Sequence, residues 1–273
     1  MNKLIAILFI IFIICAGSLS AQETITVIGW NAESGDAHPD TVAKRIEEID
    51  GCDIWGMCEV ESPQWANTFE NGAEIDEGSD FKTILGSTGR KDMMQIIYDS
   101  DKFDLIESYE LHRINVGGRV RAPLVAHLKS KSSGTEFLFM INHLYRSNNR
   151  ARHSQAALLN KWAREQELPI IAVGDYNFDW EVIDGDANHD YGYDNMIEDG
   201  VFYWVRPDEL KKSQASKRYN SVLDFVFLGG DVWTWEAESE IMKRDKNDIN
   251  DNDFSDDEFN TDHRPVKAVI TIH

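Results

Sequence analysis

Across its 273 residues the chain repeats one pattern, short apolar runs that end in side chains able to do chemistry. Ile25, Val27 and Gly29-Trp30 run into Asn31, and residues 53–60 carry Cys58-Glu59-Val60 into Glu61. Further along come Ile141-Asn142-His143-Leu144, Gly174-Asp175-Tyr176-Asn177, Leu223-Asp224-Phe225 and Thr261-Asp262-His263-Arg264-Pro265. Apolar segments bounded by Gly, Asp and Ser predict strands, here also at residues 94–98, 103–110, 120–129, 136–142, 170–174, 222–228, 232–238 and 265–272. Helical spacing appears in two places. Pro39 opens a helix whose Val42, Ile46 and Ile49 share a face and which Gly51 stops. A second runs from Arg150 to Glu167, with Ala156, Leu159 and Trp162 inward and Pro169 ending it. Strands outnumber helices and often follow one another directly, which suits an α+β layered sandwich better than a doubly wound parallel sheet. No Pro-rich or Gly/Ser-rich linker interrupts residues 22–273, so they read as one domain.

Residues 1–21 read differently. Lys3 precedes an apolar run from Leu4 to Ala16 and then the small and polar Gly17-Ser18-Leu19-Ser20-Ala21, the pattern of a secretory signal peptide cleaved after Ser20 or Ala21. The run is shorter than the ~20 apolar residues a membrane-spanning helix needs. The expected location is therefore secreted or periplasmic, without stable membrane association. Cys15 follows Ile13 and Ile14, where a lipid-attachment site would want small residues. Cys52 and Cys58 flank an extended segment that would hold them ~20 Å apart, too far for a disulfide.

Lys and Arg number 27 against 48 Asp and Glu, for a formal net charge of -21. That excludes a protein that holds nucleic acid by a generally basic surface, because such binding rests on many Lys and Arg neutralising phosphates. A polyanionic substrate would have to be met locally, with a metal. Seven of the acids fall in the stretch Asp245 to Glu258. It lacks the glycine and terminal Glu of a 12-residue EF-hand loop in any register, which leaves a looser structural Ca²⁺ site or a solvated loop.

Taken in order, GWN at 29–31, CEV at 58–60, NHL at 142–144, GDYN at 174–177, LDFVF at 223–227 and TDHRP at 261–265 resemble the endonuclease/exonuclease/phosphatase superfamily, in its deoxyribonuclease I-like branch. The resemblance spans nearly all of residues 22–273 and implies a four-layered α/β/β/α sandwich with metal-dependent phosphate-ester cleavage at one end of the sheets. It implies a metal, Mg²⁺ or Mn²⁺, held by Asn31, Glu59 and Asp262, whose hard oxygens suit such a cation. Asp175 would orient or deprotonate water and the Asn177 amide would donate to the phosphate. His263 would be the phosphate-side acid or base, with Asp224 fixing its tautomer. His143 matches the second histidine of the deoxyribonuclease and sphingomyelinase branches, and Asp92 is the best positional match for the carboxylate behind it. Arg121 matches an arginine that meets substrate phosphate, although a surface strand charge is an equal reading.

Arg146, Arg150, Arg152, Lys211, Lys212, Lys217 and Arg218 supply further positive charge, with Arg150 and Arg152 read as a solvated helix face. Glu33, two residues after Asn31, and the lack of an aromatic insertion give a repair role little support. The leading expectation is a secreted, monomeric metal-dependent phosphodiesterase, an endonuclease acting on DNA rather than RNA. The alternatives are a phosphatase or phospholipase C-type (sphingomyelinase-like) hydrolase of a non-nucleic phosphoester, and a binding module that keeps the fold without catalysis.

Overall fold

The computed structural model describes residues 22–244 and 259–273. The signal peptide expected at 1–21 and the acidic stretch from Asp245 to Glu258, with its candidate Ca²⁺ site, lie outside the described residues.

Among the described residues, twelve strands form two six-stranded sheets. The first holds β1 (Glu23–Asn31), β2 (Ile54–Val60), β3 (Phe81–Leu85), β4 (Met93–Asp99), β11 (Glu236–Ile241) and β12 (Val266–Ile272), in the order β11-β12-β1-β2-β4-β3. The second holds β5 (Phe103–Glu110), β6 (Leu124–Ser130), β7 (Glu136–His143), β8 (Ile170–Glu181), β9 (Phe202–Trp204) and β10 (Ser221–Gly229), in the order β5-β6-β7-β8-β10-β9. Helices α1 (Pro39–Glu47) and α2 (Pro63–Glu74) cover the outside of the first sheet. Helices α3 (Asn149–Ala163) and α4 (Gly192–Ile197) pack on the second. The expected four-layered α+β sandwich is what forms.

The period of two along each strand explains the layering. On β1, Ile25 and Val27 enter the core between the sheets while Ile28 and Trp30 enter the core under α1 and α2. On β2, Ile54 and Cys58 face the other sheet while Trp55 and Met57 face the helices. Gly29 and Gly56 pair in register at the centre, opposite Val173 of β8. A Cβ on Gly56 would lie 2.5 Å from Val173 Cγ2, so two glycines let the sheets close up just below the site.

Several elements depart from the sequence reading. β8 runs on to Glu181 rather than ending near 174, β6 begins at Leu124 after Pro123, and β11 covers 236–241 instead of 232–238. Helix α2 and strand β3 were not anticipated. Ser62 caps α2 by accepting from Trp65 N at 3.3 Å, Pro63 fills its first turn, and Ala66, Phe69 and Ala73 form its buried face. Cys52 and Cys58 are buried free thiols.

Candidate active site

The polar strand ends converge because they continue the inward face of the sandwich. Asn31 continues Ile25, Val27 and Gly29; His143 continues Phe139 and Ile141; Asp175 continues Val173; Asp224 continues Leu228 and Val226. Glu59 has the wrong parity for this face. A bulge in β2 between Met57 and Val60, with Glu59 at φ 58°, turns its carboxylate into the site. Asn177 is also left-handed, at φ 53°, beside the irregularity where β8 faces residues 222–224 of β10. Gly174 holds φ 132°, and any Cβ there would meet Asn142 O at 2.0 Å.

Glu59, Asp175 and Asn177, with Asp262 and His263, line a cleft of about 760 Å³ that is also bordered by Glu33–Asp36, Gln214–Lys217 and Arg146. Asn31 Nδ2 donates to Glu59 Oε1 at 2.9 Å and to Asp175 Oδ2 at 3.2 Å. Ser34 donates to Glu59 Oε2 through its backbone N–H at 3.2 Å and its hydroxyl at 3.3 Å. Glu33 Oε2 accepts from Asp262 N at 2.7 Å, so the residue noted only as a departure ties the loop after β1 to the loop before β12. Thr261 Oγ1 donates to Asn31 O at 2.6 Å, and the Trp30 indole donates to His263 O at 3.0 Å.

Two imidazoles approach Asp175 Oδ2, His143 Nε2 at 3.4 Å and His263 Nε2 at 3.8 Å. Their settings differ. Burial alone would lower the His263 pKa, but Asp224, Asp262 and Asp175 outweigh it and hold His263 well above the ordinary histidine value. Its Nδ1 lies 2.8 Å from Asp224 Oδ2, which also accepts from Ser213 Oγ at 2.6 Å. Burial, then the nearby Arg121 charge, push His143 down to about 4. Its Nδ1 faces Asp92 Oδ1 at 3.5 Å, and burial raises Asp92 to about 6 against the pull of Arg121. Burial likewise raises the Asp175 carboxyl. Near neutral pH the site thus pairs a protonated His263 with a neutral His143, a division suited to acid and base work.

The eight strand-end residues anticipated from sequence, Asn31, Glu59, His143, Asp175, Asn177, Asp224, Asp262 and His263, therefore gather in one place. Arg121 is not a surface strand charge: it is buried before β6 and donates to Asp92 Oδ2 at 2.6 Å, behind His143. The solvated-face reading of Arg152 is overturned. It is 2% exposed, pairs with Asp190 Oδ2 at 2.7 Å and donates to the carbonyls of Tyr145 and Arg146. Ser213 and Ser34 were missed, because a serine in a polar loop carries no signal of its own until folding brings it to a carboxylate.

The donor set suits a hard divalent cation. Glu59, Asp175 and Asp262 crowd carboxylates into one cleft, and Glu59 has no Lys or Arg ion-pair partner among the described residues. With the Asn31 amide they offer oxygen ligands of the kind Mg²⁺ prefers. Two tighter groups, Glu59-Asp92-His143 and Asp175-Asp224-His263, bring ligand atoms within 4.8 Å of one another, but in each an imidazole already engages a carboxylate.

No family model and no curated protein matches the sequence. Solved structures do. An endonuclease/exonuclease/phosphatase family protein from Bacteroides thetaiotaomicron superposes with a TM-score of 0.67 at 19% identity, covering 92% of this chain and 96% of that one. A mannosyl-6-phosphatase from the same organism gives 0.66 at 20% identity, over 91% of this chain and 100% of that one. D. rerio TDP2 in complex with a single-strand DNA product gives 0.67 at 14% identity, over 90% and 98%. At these identities the likeness is one of fold, and the chain has the fold these proteins share.

Proposed function

We propose that this protein is a secreted or periplasmic, metal-dependent phosphoric ester hydrolase whose substrate is a nucleic acid phosphodiester, with DNA endonuclease activity as the leading form. The observation that carries the hydrolase reading is the pair of imidazoles held 3.4 and 3.8 Å from one Asp175 oxygen, each backed by a carboxylate, above the Glu59 and Asp262 cluster. Structures of the same fold include a mannosyl-6-phosphatase and TDP2 with a DNA product, which is consistent with phosphate-ester chemistry.

In this reading Glu59, Asp262 and Asn31 would hold Mg²⁺ or Mn²⁺, which when bound would supply Lewis-acid neutralisation of phosphate charge. His263, protonated and braced by Asp224, donates from Nε2 to a phosphate oxygen. Asp175 orients the attacking water and accepts its proton. The Asn177 side chain, 3.3 Å from Leu144 O at the cleft floor, presents an amide to a second phosphate oxygen. Neutral His143, with Asp92 beside its Nδ1, lies behind Asp175 at the base of the site.

A second reading has its own support. Among the described residues lining the cleft there is no Phe, Tyr or Trp to stack on a base, and a compact sugar phosphate would fit the polar walls. Purified protein assayed on plasmid DNA, RNA, sphingomyelin, bis-p-nitrophenyl phosphate and mannose 6-phosphate, each with Mg²⁺ and with EDTA, separates the readings. Nicking of plasmid that EDTA abolishes is the expected result. Intact plasmid beside released inorganic phosphate would replace the nuclease with a monoesterase, and inactivity on every ester would sink the hydrolase reading. N-terminal sequencing of the exported protein tests the leader.

A further inference from the structure

In a chain this acidic, many lysines and arginines pair with carboxylates, among them Lys91 with Glu61, Lys102 with Asp53, Arg121 with Asp92, Arg152 with Asp190, Arg164 with Asp199 and Lys267 with Glu240. Others make no ion pair among the described residues, and several of these are placed together. Arg146 and Lys217 stand at the rim of the catalytic cleft. Arg90 and Arg119 line a separate depression of about 520 Å³. Arg150 sits in the first turn of α3. All of these belong to connections at the end of the sandwich that carries the site, since the loops after β3, β5, β7 and β9 leave from there. Lys44 and Lys161, on the outer helices, are exceptions.

The depression that holds Arg90 and Arg119 is built. Thr88 Oγ1 accepts from Ala122 N at 2.8 Å and donates to Glu110 Oε1 at 2.5 Å, which pins the loop after β3 to the segment before β6. Gly89 at φ 94° turns so tightly that a Cβ would sit 2.0 Å from Asp92 O, and Arg90 follows at φ 61°. On the facing wall the Asn115 side chain closes its own loop, donating to Val120 O at 2.9 Å and accepting from Val120 N at 3.3 Å, and this sets Arg119. Two exposed guanidinium groups without carboxylates thus share one rigid cradle. Arg121, Asp92 and His143 then lead in series from that cradle to the catalytic cleft.

The structure assigns the Arg90–Arg119 cradle as a second anion site, which takes a phosphate of the same polynucleotide strand whose scissile phosphate sits over Asp175. The assignment rests on the nuclease reading above and extends it. Arg146 and Lys217 flank the scissile position on one side, Arg90 and Arg119 receive the strand on the other, and the footprint is longer than a single phosphoester. Planar guanidinium groups suit non-bridging phosphate oxygens, and phosphate contacts of this kind add affinity without reading sequence.

The test is fluorescence anisotropy of labelled single-stranded DNA and RNA oligonucleotides with Mg²⁺, in an Asp175→Asn background so that the strand survives. Arg90→Gln/Arg119→Gln is compared with its parent and with Lys44→Gln, which removes an equally unpaired charge from α1. The glutamines keep much of the side-chain stem, and each single variant is measured as well in case the pair perturbs folding. The dissociation constant of the double variant should rise roughly tenfold, and its salt slope should flatten by about 0.7 per lost contact, with the Lys44 variant behaving as the parent. Loss on DNA alone, RNA alone or both supports the site and identifies which strand it serves. Unchanged affinity and slope, an equal effect from Lys44→Gln, or a parent that binds no strand at low salt would overturn it. Hydrolysis of bis-p-nitrophenyl phosphate by the unmutated protein reports separately on the hydrolase reading, which survives if only the anisotropy fails.

Discussion

Asp224 Oδ2 accepts from Ser213 Oγ at 2.6 Å and pairs with His263 Nδ1 at 2.8 Å, while Ser213 Oγ itself accepts from Leu223 N at 2.8 Å. Ser213 is fully buried, and its hydroxyl, anchored by the Leu223 and Asp224 backbone N–H groups, fixes which way the carboxylate presents itself to the imidazole. Ser213→Ala should lower kcat about tenfold or more with little change in KM, since a hydrogen bond to a charged group contributes about 1.5–3 kcal/mol. A KM effect without a kcat effect would show that Ser213 shapes substrate binding instead. His263→Ala removes the proposed acid and should cost about 10² to 10⁴ in kcat, measured on a small diester whose binding owes nothing to distant contacts. These residues also show what could be read in advance. Glu59, His143, Asp175 and His263 were legible because each is a polar side chain interrupting an apolar strand or its end. Ser213 was not, because its partner lies 11 residues away and only the pairing of β10 with β8 fixes where that partner points.

At the scale of elements the decisive contact is the close approach of the sheets, where Gly29 and Gly56 meet Val173. Gly56→Ala should destabilise the protein by about 1–3 kcal/mol through overpacking. Urea denaturation checks this, and Val173→Ala in the same chain should recover part of the loss. Independent, additive effects would show that the sheets accommodate the methyl elsewhere. Strand parity made this inward face readable from sequence, but the β2 bulge that turns Glu59 inward carries no local mark, and α2 was hidden by its polar residues although Ser62-Pro63 signalled its start. Arg152 misled for a related reason. Its helix exposes one face, and only the return of the chain at Asp190 shows that Arg152 is on the other. The pair holds Tyr145 and Arg146 carbonyls against α3, so Asp190→Asn should cost about 3–5 kcal/mol, as breaking a buried ion pair does. Burial would raise the Asp190 pKa, but Arg152 and His153 outweigh it and hold it below the usual 3.8. The native state therefore binds fewer protons there than the unfolded chain. The contribution of the pair is complete above the unfolded value and fades as pH falls through the folded one, an acid-side loss that Asp190→Asn should lack.

Over the whole molecule a net charge of -21 is distributed with consequences for stability as well as substrate. Glu59, Asp175 and Asp262 are gathered at one cleft, and Arg146 and Lys217 stand only at its rim. Carboxylates brought together by folding repel one another more than they do in the unfolded chain, and burial raises the Asp175 pKa accordingly. A divalent cation that binds the folded cleft and not the unfolded chain relieves that repulsion. By mass action it stabilises the fold by about 2.7 kcal/mol when its concentration is 100 times its dissociation constant. The melting temperature should therefore rise with Mg²⁺ or Mn²⁺, fall back with EDTA, and respond far less to monovalent salt at equal ionic strength. Glu59→Gln gives the discriminating comparison: removing one charge weakens the repulsion, so this variant without metal should melt no lower than the parent, yet it should lose most of the metal-dependent rise. A parent whose melting temperature ignores divalent cations, or a Glu59→Gln protein that keeps the full rise, would place the metal elsewhere and leave the acidity of the cleft without a counter-ion.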